Sequence, residues 1–112
     1  MTEAGGVDDF ERALAEAVDE TLLYMGDRVR LALYSFLRKH YGIEEDRIPS
    51  KLDAFEGGLR SVFGDGADIL FRMIARRLYG KLGIPFEEGA SWGLRDYVER
   101  ARAAMANRGL AP

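Results

Sequence analysis

The 112-residue sequence contains no cysteine and no glutamine, and it has one histidine (His40), one asparagine (Asn107) and one tryptophan (Trp92). The absence of thiols excludes disulfides, thiolate catalysis and cysteine-ligated zinc. A Ser-His-acid triad would depend on His40 alone. The Glu-x-x-His spacing that loads di-metal helical bundles does not occur. Scarcity of heat-labile amides fits a thermophilic source, although richness in Arg, Gly and Ala fits a GC-rich coding bias equally well. No apolar run approaches the roughly 20 residues of a membrane span. The N-terminus is acidic at Glu3, Asp8, Asp9 and Glu11 and lacks the basic start and apolar stretch of a signal peptide. The expectation is a cytoplasmic protein without membrane association and without a cofactor.

What is present is an ordinary globular composition, 47% hydrophobic and 31% charged, in a chain long enough for one core and too short for two. A single domain over residues 1–112 is expected, with fraying ends at 1–6 and 108–112. The net charge of -3 conceals a division along the chain. Residues 1–26 carry seven acids against Arg12, residues 27–81 carry eleven basic and eight acidic side chains, and residues 82–112 carry four of each. Either the acidic first helix neighbours the basic middle in the fold, or the basic face is kept for a partner.

Start and stop signals divide the chain into an all-α bundle of about five helices, at 8–24, 27–41, 51–63, 66–82 and 92–107. Asp8 with Glu11 forms a capping-box pattern ahead of Phe10, Leu14, Ala17, Thr21 and Leu22. Gly26 either breaks the chain before a second helix or sits inside one long helix at a cost of about 1 kcal/mol. In the second segment Val29, Leu33, Phe36, Leu37 and His40 trace one face, and Gly42-Ile43 supplies a left-handed stop with an apolar contact. Glu44–Asp46 and Ile48-Pro49 read as loop. Ser50 is positioned to cap a third helix with Asp53 as its reciprocal partner, and Leu52, Phe55, Leu59 and Val62 face inward. Gly64 stops that helix and Asp65 caps the fourth, where Ala67, Leu70, Phe71, Ile74, Leu78 and Leu82 form the most regular apolar stripe. Gly83-Ile84-Pro85 ends it. After a loop carrying Phe86, the residues Leu94, Tyr97, Val98, Ala101 and Met105 define the last helix. No segment alternates with a period of two over enough residues for a strand.

Few residues suggest chemistry. His40, on an apolar helical face, reads as packed or as a partner of a nearby carbonyl. The acidic pairs lie where helix N-termini and solvated turns favour negative charge. No catalytic or metal-ligating residue is expected, and the chain reads as a non-enzyme. The turn Gly64-Asp65-Gly66 opens a helix, but it has no Gly-Lys-Ser/Thr ending and Asp65 would repel phosphate. The same turn looks like the Gly-x-Gly connection of a helix-hairpin-helix, with Leu59, Val62, Ala67 and Leu70 as its apolar positions, although Asp65 takes a place usually aliphatic. A purely structural account has Gly64 terminating, Asp65 capping and Gly66 permitting close helix crossing. Arg72, Arg76, Arg77 and Lys81 form the basic flank of the fourth helix, available to phosphates or to acidic neighbours.

Residues 22–84 resemble a family of small archaeal helical domains described as output domains. The likeness rests on Gly26-Asp27-Arg28-Val29, Tyr34-x-x-Leu37, Tyr41-Gly42-Ile43, Ile48-Pro49, Phe55, Phe63-Gly64-x-Gly66-Ala67 and Leu78-Tyr79-x-Lys81-Leu82-Gly83. It implies a regulatory or interaction module and carries over no catalytic residue. Leu31, Tyr34, Met73, Phe86 and Trp92 are apolar side chains that a single helical face does not bury, and they form a candidate protein interface for a homodimer or another protein. The alternative is a nucleic-acid backbone binder using Gly64, Gly66, Arg72, Arg76, Arg77 and Lys81.

Overall fold

Four glycines set the path of the chain. The computed structural model describes residues 9–89 and 91–110, with side chains through Asn107. Helix α1 spans Asp9–Tyr24 and α2 spans Asp27–Tyr41. Helix α3 spans Leu52–Phe63, α4 Ala67–Leu82 and α5 Leu94–Leu110. There is no strand among the described residues. Gly26, Gly42, Gly64 and Gly83 all have positive φ, and each follows a helix end. Gly26, at φ 122°, separates α1 from α2 and excludes one continuous helix. At Gly83 the backbone N–H donates to Gly80 O while that of Ile84 donates to Tyr79 O, the paired 5→2 and 6→1 bonds of a Schellman ending. Ile43 follows Gly42 into the core at 1% exposure, the apolar contact expected from the sequence.

The other capping expectations are corrected. Ser50 does not cap α3: it ends a 3-10 helix over Glu45–Ser50, and its hydroxyl donates to Arg47 O at 2.9 Å. This 3-10 helix replaces the predicted loop and buries Ile48 and Pro49. Asp53 is an ion-pair partner of Arg95 at 2.6 Å, tying the first turn of α3 to α5. Asp65 makes no cap; it lies exposed in a short 3-10 turn over Gly64–Gly66, and no side chain caps α4. The side-chain device present is at α5, where Gly93 N–H donates to Asp96 Oδ2 at 3.0 Å, the reciprocal half of a capping box. The proposed Asp8 cap lies outside the described residues, as do the ends 1–6 and 111–112. Helix α5 continues past residue 107 to Leu110.

Helices α1 and α4 form the centre of the bundle. Leu14, Ala17, Val18 and Leu22 from α1 meet Leu70, Phe71, Ile74 and Leu78 from α4 in a core to which every helix contributes. Thr21 is buried with them because its hydroxyl donates to Ala17 O at 2.8 Å. Glu16 pairs with Lys81, and Glu20 pairs with both Lys81 and Arg77, so the ladder runs in opposite sequence directions and the two helices are antiparallel. This is the acidic first helix lying against the basic middle. Helix α2 returns beside α1, held where Tyr34 Oη donates to Asp19 Oδ1 at 2.7 Å and Arg30 pairs with the same oxygen at 3.1 Å.

Glycine also controls the α2–α3 crossing, at Gly58 rather than at Gly66. A Cβ on Gly58 would lie 2.6 Å from Leu37 Cδ2, whereas one on Gly66 meets nothing closer than 3.9 Å. Three stripe assignments are revised. Val29 and Val62 are exposed at 37% and 48%, and His40 is exposed, its ring only resting 4.9 Å from Phe36.

Candidate functional site

The basic flank of α4 is already engaged. Arg77 and Lys81 pair with the carboxylates of α1, and Arg72 pairs with Glu88 at 3.4 Å. Arg76 places its guanidinium 4.8 Å from the centre of the Phe86 ring. Across the neighbouring turn Arg60 bonds Asp68 at 2.7 Å and lies over Phe71, linking α3 to α4 around Gly64 and Gly66. The turn thus carries a carboxylate at Asp65 and a neutralised arginine beside it.

The five candidate interface residues part company. Tyr34 is buried and committed to Asp19, and Met73 is partly buried against the core. Phe86 stacks on Tyr97 at 5.6 Å between ring centres and meets Tyr79 edge-on at 5.4 Å. Trp92 meets Tyr97 edge-on at 5.2 Å. Leu31 alone of the five is open, at 54% exposure. Its neighbours in the chain are open too. Leu23, Tyr24, Val29 and Leu31 make four of the seven exposed large apolar side chains among the described residues, and they fall within nine residues of sequence, on either side of Gly26, where the chain turns from α1 into α2. Asp27 and Arg28 are exposed in the same corner.

A second feature is concave. Between the end of α4, the following loop and α5 lies a groove of about 380 Å³. Tyr79 and Trp92 give it aromatic walls, and Ile84, Pro85 and Ala104 give aliphatic ones. Its charges are Glu87 and Arg100, whose guanidinium lies 4.0 Å from the centre of the Trp92 ring. Tyr79 Oη donates to Tyr97 O at 2.8 Å, fixing the floor to α5. Burial first of all pushes the Tyr79 hydroxyl above its usual pKa; Arg100 pulls it down and Glu87 raises it, so both charges act on the groove floor. Sequence reasoning did not find this groove because no single helix carries it. The available signal was a loop holding Ile84, Pro85, Phe86 and Trp92, far more apolar than a solvated connection.

Two further hollows are polar. One lies between the start of α3 and α5, where Arg95 pairs with both Asp53 and Glu99. The other, beside α1, gathers Glu16, Asp19, Glu20, Glu45 and Asp46, and no cluster of His, Asp and Glu suited to a metal ion occurs among the described residues. No described helix is long and apolar enough to cross a membrane. No protein-family model, curated protein or solved structure matches the chain.

Proposed function

We propose that this chain is a non-enzymatic, regulatory interaction module that pairs with a second copy of itself through the α1–α2 corner. The observation carrying this reading is the succession of open apolar side chains, Leu23, Tyr24, Val29 and Leu31, on either side of Gly26 in a chain whose other large apolar residues are mostly covered. Covering such side chains contributes about 25 cal/mol per Å² of apolar surface removed from water. The corner also suits self-pairing. A two-fold interface brings one patch against itself, and Arg28 beside the Asp27–Arg30 pair gives the corner both signs of charge, so unlike charges come within reach across the axis. Engagement of Arg72, Arg77 and Lys81 with carboxylates favours this reading over backbone binding to nucleic acid.

Light scattering at high micromolar concentration is expected to give twice the chain mass. Leu31→Asp is expected to give the monomer mass with an unchanged helical circular dichroism spectrum, because Leu31 contributes little to the core, and a melting temperature that no longer rises with protein concentration as that of the dimer does. A monomer mass for the native chain would sink the proposal, and a Leu31→Asp protein that remains dimeric would move the interface elsewhere.

A further inference from the structure

The groove between α4 and α5 has the attributes of a small-molecule site independent of the apolar corner. Its volume of about 380 Å³ is within the usual range of ligand pockets. Its apolar walls leave few groups to orient a ligand, and the two that do are opposite in sign. Arg100 and Glu87 line the same groove without forming a salt bridge with each other. Nor does Arg100 pair with any other carboxylate among the described residues; its guanidinium carbon lies 4.0 Å from the centre of the Trp92 ring. That arrangement orients the cation without consuming its hydrogen bonds. A guanidinium held by the ring's π-electrons keeps its N–H donors, in the fork geometry that receives a carboxylate through two parallel bonds.

The apolar and charged parts together define a ligand class. We propose that the groove binds a small monocarboxylate with a ring-bearing apolar body, the carboxylate held by Arg100 and the ring lying among Tyr79, Trp92 and Ile84. Glu87 sets the charge limit. A second negative group on the ligand meets that carboxylate and is repelled, so monoanions are selected over dianions and phosphates. The binding energy divides accordingly: burial of the ring supplies affinity, and the Arg100 bonds supply orientation and the requirement for an acid.

Trp92 is the only tryptophan in the chain, so intrinsic fluorescence reports on the groove wall itself. The full chain is titrated with 3-phenylpropionate, excited at the red edge of indole absorption where this probe is transparent, and calorimetry supplies an independent isotherm. Saturable binding is expected, weaker by roughly ten- to a hundredfold for Arg100→Gln, since a hydrogen-bonded charge is lost. Arg100 is exposed, so this variant keeps the native circular dichroism spectrum. The neutral analogue 3-phenylpropanol is expected to bind as weakly to the native chain as the acid binds to Arg100→Gln. The dianion benzylmalonate is expected to bind more weakly than 3-phenylpropionate, with the gap closing in Glu87→Gln. Absence of saturation by both methods overturns the site. Equal binding of acid and alcohol, or an Arg100→Gln protein that binds the acid as the native chain does, overturns the carboxylate assignment. The chain mass is unaffected by Arg100→Gln, which separates this outcome from failure of the self-association reading.

Discussion

At the scale of single residues, two adjacent glycines on α3 have opposite meanings. Gly58 is buried, and a methyl group there would meet the terminal carbon of Leu37, itself at 0% exposure and unable to retreat without repacking the core. Gly57 is exposed, with nothing within 4 Å of an added Cβ. Gly58→Ala is therefore expected to cost about 1 to 3 kcal/mol through overpacking. Gly57→Ala is expected to stabilise by about 0.5 to 1 kcal/mol through helix propensity. Urea unfolding of both variants checks the pair, and equal midpoints would contradict the α2–α3 crossing. Sequence alone does not separate these glycines, because the difference between them lies in Leu37 and Tyr41, side chains of another helix.

At the scale of elements, the helices were largely legible because their ends are decided locally. Positive-φ glycines and the apolar stripe of α4 are properties of neighbouring residues, and they locate the ends of α1 to α4 to within one position, whereas α5 runs three residues past its expected end at 107. What was not legible depends on tertiary partners. Asp53 has the spacing of a reciprocal cap yet goes to Arg95, because that charged hydrogen bond across helices competes with a local one. Tyr34 is surplus to the apolar face of its own helix and Phe86 and Trp92 to their loop, and they are covered by α1, α4 and α5 instead. The tyrosine hydroxyls that link helix pairs also make the bundle sensitive to alkali. Burial, reinforced by the bond to Asp19, holds the Tyr34 hydroxyl above its usual pKa, and burial does the same for Tyr79. An unfolded tyrosine gives up its proton near pH 10, while these two retain theirs in the folded chain, so their stabilisation is complete below about pH 10 and is lost as pH rises beyond it. Lys81, raised chiefly by its bond to Glu20, acts in the same direction as it loses its charge. Urea midpoints measured from about pH 8 to 11 are expected to fall towards the alkaline end, and Tyr34→Phe is expected to flatten that fall.

At the scale of the whole molecule, a net charge of -3 and the internal pairing of the α4 cations bear on nucleic acid. Counting charges along the sequence gives four phosphate contacts and a salt slope of about -3 to -4. With Arg72, Arg77 and Lys81 paired, Arg76 is the remaining member of the flank, and the expected slope falls to about -1. Fluorescence anisotropy with duplex and single-stranded probes is expected to show no complex at physiological salt; sub-micromolar binding there, abolished by reversing Arg72 and Arg76, would overturn this. The way α5 is held bears on the groove. Among its described side chains the last buried one is Ala101, while Ala104, which lines the groove, is only partly covered. Tyr79, on the opposite side, belongs to a helix buried along its length. The groove therefore has one wall held along a buried helix and one less covered, and a ligand spends part of its binding free energy confining α5 around Ala104. Affinity in the groove and local opening of α5 between residues 102 and 107 are thereby one coupled equilibrium: whatever steadies that stretch tightens binding, and whatever occupies the groove is expected to slow amide exchange there.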